Sequence, residues 1–151
     1  MGLEFKNWKL KQVKDVVEII ADDSIVYRDF ILRELNLPVS NSESIDRSET
    51  SINWNLVPNY YKFYFDNENS EKQVENYLRN SELSESENII ILYGWNEPVI
   101  KIPTQIFLSD WEGFIRSTLW ETIIFSEKFD LIVEVSRDYF MHSNFIIKTD
   151  F

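Results

Sequence analysis

Two hydrophobic rhythms alternate along the chain. Leu10, Val13, Val16, Val17 and Ile20 recur at helical spacing, whereas Leu3 to Leu10 fits either rhythm. Asp22-Asp23-Ser24 interrupts the first pattern and offers caps for a second helix. Ile25, Val26, Phe30, Ile31 and Leu35 populate that helix, and Pro38 ends it. Two helices joined by a short polar turn predict an N-terminal helical hairpin.

The centre of the chain changes rhythm. Ile89 to Tyr93 is a short β-branched run that suits a strand buried on both faces. Gly94 and Pro98 bracket a tight connection tipped by Trp95, Asn96 and Glu97, after which Val99, Ile100 and Ile102 resume the β pattern. A hairpin follows from this. Ser109 with Glu112 reads as a capping box opening a helix, whose stripe is Trp111, Phe114, Ile115 and Leu119. Gly113 inside it points to close packing, because Gly in a helix costs up to about 1 kcal/mol against Ala.

Around this centre lie weaker signals. Residues 39–53 mix serine with acids and read as a flexible loop within one domain spanning 1–151. Trp54 to Phe65 is strongly aromatic and reads as a core strand in preference to a ligand-stacking cage. Ser70 with Gln73 suggests a second capping box, ahead of Val74, Tyr77 and Leu78. Glu121–Phe125 and Leu131–Val135 read as a second hairpin, while 139–147 fits a strand or a short helix. The sum is an α+β fold: a helical hairpin, then a mostly antiparallel sheet packed with one or two helices.

Composition narrows the chemistry. The chain of 151 residues has no cysteine, so thiolate catalysis, disulfides and Cys-based metal sites are excluded. No run approaches the roughly 18 apolar residues of a membrane span. Lys6, Lys9, Lys11 and Lys14 interrupt any apolar signal core, so a cytoplasmic location is expected. The net charge of −11 opposes nucleic-acid binding and favours basic partners. Residues 66–88 are the acidic focus, with Glu82, Glu85 and Glu87 beside the hairpin.

Catalytic constellations are poor. His142 is the single histidine, with Asp138 before it and Ser143 directly after. A serine adjacent to its own base cannot easily reach triad geometry, and no Gly-x-Ser-x-Gly elbow exists. Three glycines form no phosphate-cradling loop. No catalytic residue, metal ligand or cofactor is therefore expected. A binding surface is the better expectation, with Trp95, Asn96 and Glu97 at the hairpin tip and Glu82, Glu85 and Glu87 nearby as its candidates.

One segment carries a resemblance. Val57-Pro58-Asn59-Tyr60-Tyr61-Lys62-Phe63-Tyr64-Phe65 resembles the Leu-Pro-x-x-Tyr-x-x-Phe segment of the SUKH superfamily. Val57 stands for Leu, Tyr61 matches the motif Tyr, and Tyr64 stands for Phe. Asp66-Asn67-Glu68-Asn69 occupies the place of the usual Asn-Gly-Gly. Tyr93-Gly94-Trp95-x-x-Pro98 with Trp111-x-x-Phe114 is similar to small bacterial proteins of toxin–immunity loci. The resemblance implies an α+β domain of a kind that often serves as an immunity protein against a bacterial toxin. With the acidic balance, the aromatic richness and the poverty of catalytic groups, the expectation is an immunity protein that binds and neutralises a toxin such as a basic nuclease. The alternatives are a non-catalytic interaction module or assembly subunit and, third, a hydrolase using carboxylates.

Overall fold

A strand buried on both faces sets the architecture. In β3 (Asn88–Tyr93), Ile89, Ile91 and Tyr93 enter one core while Ile90 and Leu92 enter another. Successive side chains of a strand point to opposite faces, so an unbroken apolar run needs cover on both. The computed structural model describes residues 5, 7–38, 51–64, 68–93, 97–116, 122–135 and 140–145.

β3 forms the expected hairpin with β4 (Val99–Pro103), placing Ile91 opposite Ile100. The second hairpin joins β5 (Thr122–Ser126) to β6 (Ile132–Val135). Within the stretch 139–147, residues Phe140–Ser143 form strand β7, while 139, 146 and 147 lie outside the described residues. With β1 (Glu18–Ala21) and β2 (Tyr61–Tyr64) the sheet has seven strands among the described residues, ordered β1-β4-β3-β5-β6-β7-β2, and every pairing among them is antiparallel.

The helices cover both faces. α3 (Glu68–Arg79) presents Val74, Tyr77 and Leu78 to the first core, alongside Phe107 and Leu108 of α4 (Thr104–Ser109). Trp111, Phe114 and Ile115 of α5 (Trp111–Arg116) join them. The second core lies beneath α2 (Ser24–Glu34) and the segment around Trp54, and contains Ile31, Leu32, Ile52, Trp54 and Val57.

The N-terminal helical hairpin is replaced. α1 is only Trp8–Gln12, followed by a 3-10 turn at Lys14–Val16 and then strand β1. Val13, Val16, Val17, Ile19 and Ile20 are all β-branched, and their χ1 stiffness favours extended backbone over helix. Pairing then decides the matter: Glu18 lies opposite Lys101 of β4, and the ammonium reaches the Glu18 carboxylate at 3.4 Å. α2 keeps its expected place, with the Asp23 side chain accepting from the Ile25 and Val26 amides at 3.0 and 3.1 Å.

Three further local expectations are corrected. α3 begins at Glu68, so Ser70 lies inside the helix and cannot open it. Ser109 ends α4, its hydroxyl donating to the Ile106 carbonyl, and Asp110 caps α5 by accepting from the Gly113 amide at 3.2 Å. A Cβ at residue 113 would stand 2.2 Å from the Asp110 carboxylate, which explains the glycine. The aromatic stretch is a 3-10 turn (Trp54–Leu56), a Pro58-Asn59 turn and only then β2. Asn59 adopts φ 57°, a conformation that Asn tolerates at the third position of a Pro-initiated turn. Of the serine-rich loop, residues 39–50 lie outside the described residues, while Ile52 near its end is fully buried.

Candidate functional site

Two polar constructions stand out, one buried and one exposed. The buried one is built on β6, β7 and the segment entering the 3-10 turn at Trp54. Glu134 is 0% exposed, on the same face of β6 as Ile132. Its carboxylate accepts from the Ser51 amide at 2.7 Å, the Ile52 amide at 3.1 Å and the Trp54 indole N–H at 3.0 Å. A buried carboxylate is tolerated where donors replace its water.

Directly across the ladder from Glu134 is His142, also buried. Its Nδ1 lies 2.9 Å from the Tyr60 hydroxyl, and its ring stacks on both Tyr60 and Trp54. Lys62 of β2 follows His142 in the cross-strand row. The arrangement ties the 51–60 segment onto the sheet from two sides. Ser143 points to the opposite face, where its hydroxyl donates to the Phe145 carbonyl at 2.6 Å. Ser143 and His142 are therefore not brought together, and Asp138 lies outside the described residues. Among the described residues, no three His, Asp or Glu side chains converge where a metal ion could sit.

The exposed construction is the corner between α3 and β3. There Ser81-Glu82-Leu83-Ser84-Glu85-Ser86-Glu87 forms a 3-10 turn (Glu82–Glu85) and its exit. Leu83 plugs the first core, fully buried. The serines bond inward: Ser81 Oγ to the Leu78 carbonyl at 2.8 Å, Ser84 Oγ to the Ser81 carbonyl at 2.7 Å, and Ser86 Oγ to the Asn88 carbonyl at 2.6 Å. Ser86 Oγ also accepts from the Glu127 amide at 3.2 Å, fastening the corner to the β5–β6 turn. The glutamates are left outward. Glu82, Glu85 and Glu87 are exposed, with no ion pair among the described residues. Nearby, Lys101 bridges Glu18 and Glu127, and these two carboxylates raise its pKa.

The hairpin tip fares differently. Trp95 and Asn96 lie outside the described residues. Glu97 is buried, and its Oε1 accepts from the Asn7 amide, so it anchors the start of α1 and is not an outward-facing acid. Asn7 in turn caps α1 with its side chain. Sequence reasoning missed the Glu134 network. The available signal was a lone carboxylate inside the apolar strand Ile132-Val133-Glu134-Val135, since an acid on a core-facing position needs dedicated donors. No helix among the described residues is long and apolar enough to cross a membrane. Comparison of the chain with protein-family models finds no match, and a search of curated proteins finds none either.

Proposed function

We propose that this chain is an immunity-type protein, which binds a basic bacterial toxin domain and occludes it. The observation that carries the reading is the serine–glutamate corner. Its backbone is held by inward hydroxyl bonds and a buried leucine, while Glu82, Glu85 and Glu87 are exposed and make no ion pair among the described residues. A held backbone keeps these acids on the outside of the corner, and their charge attracts a cationic surface. The surplus of negative charge over the whole chain extends the same field. The SUKH-like segment around Pro58 agrees in kind.

Sequencing the genes beside it, and co-expression with any toxin domain found there, test the reading. Protection of the producing cells, lost on combining Glu82→Lys, Glu85→Lys and Glu87→Lys, is the expected result. A complex that forms but gives no protection would favour an adaptor role instead. No complex and no protection would refute the proposal.

A further inference from the structure

Among the described residues, six of the nine exposed large hydrophobics fall between Val16 and Phe30. Three of them, Ile25, Val26 and Phe30, belong to α2, whose other side buries Ile31 and Leu32 in the second core. Val26 and Phe30 lie one turn apart on the outward side, 65% and 52% exposed. A helix apolar on both sides is ordinarily covered on both. At its C-terminal end the helix borders an open groove of about 820 Å³, lined by Asp29, Arg33, Asn36, Leu37, Pro38 and Leu56. Leu56 is 68% exposed there, the most exposed of the large hydrophobics described.

The charges around this ridge indicate its occupant. Asp22, Asp23, Asp29 and Glu34 are exposed, against Arg28 and Arg33. Arg28 and Asp29 pair with each other at 3.4 Å, which leaves Asp22, Asp23 and Glu34 against Arg33. A second copy would bring the same acidic rim and another −11 charges against this one, which disfavours self-association. An apolar centre inside an acidic rim fits a partner that offers an apolar anchor inside a basic rim. We infer that the outward face of α2 and the groove beyond it dock a basic protein, which seats an apolar side chain beside Leu56. The inference rests on the protein-binding reading above and assigns the anchoring contacts to α2 over the second core, a face of the sheet distinct from that of the serine–glutamate corner, whose Leu83 enters the first core.

The test places a photo-crosslinking benzoylphenylalanine at position 30, and separately at position 85, in cells producing the full chain. Any captured protein is then purified and titrated against the wild type, the Val26→Asp/Phe30→Asp pair, Leu56→Asp, and the combined lysine variant of Glu82, Glu85 and Glu87. Circular dichroism confirms that each variant is folded. The expected capture at position 30 is a Lys/Arg-rich protein whose affinity falls about thirtyfold or more in the Val26→Asp/Phe30→Asp pair and in Leu56→Asp. Capture of a second copy, of an acidic protein or of nothing at position 30 overturns the inference. So does affinity unchanged by the α2 variants; if the lysine variant still abolishes binding, the broader reading survives alone. No capture at either position removes both.

Discussion

Replacing Glu134 probes how the second face of the sheet is held. Glu134→Ala leaves the Ile52 amide and the Trp54 indole N–H without this acceptor in a dry site, and the partly exposed Ser51 amide as well. Each buried donor left unsatisfied costs about 1–3 kcal/mol, and relief from burying a carboxylate offsets part of that. A net loss of about 2–4 kcal/mol is expected, a large share of a typical domain's stability. Glu134→Gln is the finer perturbation. Its carbonyl can serve the two donors now on Oε1, but its amide nitrogen meets the Ser51 N–H donor to donor. It should cost about 1–2 kcal/mol. Urea unfolding followed by far-UV circular dichroism gives the ranking. Hydrogen exchange at Ser51 and Ile52 gives the location, because these amides should lose protection before the β3 amides do. A Glu134→Ala protein within about 0.5 kcal/mol of wild type, the range of ordinary surface changes, would refute the assignment.

Other perturbations follow from the same geometry. Gly113→Ala should destabilise despite a helix-propensity gain of about 1 kcal/mol, because its Cβ displaces the Asp110 carboxylate that caps α5 and pairs with Lys9 at 2.7 Å. In an Asp110→Ala background the same change should become neutral or stabilising, and thermal melts of the four proteins decide it. Tyr93→Phe removes a 2.7 Å donor to the buried Phe114 carbonyl and should cost about 1 kcal/mol in urea unfolding. The pKa of Lys101 is raised by Glu18 and Glu127, and that of Tyr27 by burial. In both the folded state favours the protonated form, so the stabilisation is complete below the ordinary lysine and tyrosine values of 10.5 and 10.0 and fades as pH rises through the higher folded ones. The stability gap between wild type and Lys101→Met should therefore shrink above that range, and a constant gap would contradict the pairing.

How far the fold could be read from residues varied with how local the deciding physics was. The β3–β4 and β5–β6 hairpins were legible because apolar β-branched runs with turn residues between them leave few alternatives. α2 was legible through the acid that caps it. The segment from Leu10 to Ile20 was not. Its valines satisfy a helical spacing by coincidence, and only the distant edge of β4 settles that Glu18–Ala21 is a strand. The Ser109–Glu112 pattern misled because the neighbouring Asp110 is the better cap, a competition decided by where α4 stops. The outward acids at Glu82, Glu85 and Glu87 were legible from composition. Glu97 was not, since nothing local announces that the Asn7 amide will come to meet it across the fold. The Glu134–His142 pairing needs the register of β6 on β7, which no short-range pattern encodes.

The central claim, that outward surface carboxylates draw a basic protein partner onto this chain, is tested most directly by association kinetics. Stopped-flow mixing of the chain with the basic protein that its crosslinks capture, across ionic strengths from about 0.01 to 1 M, spans Debye lengths from about 30 to 3 Å. A rate that falls at least about tenfold over that range, with the slope flattened by the combined lysine variant of Glu82, Glu85 and Glu87, is what steering by this corner predicts. A rate indifferent to both salt and charge reversal would contradict it.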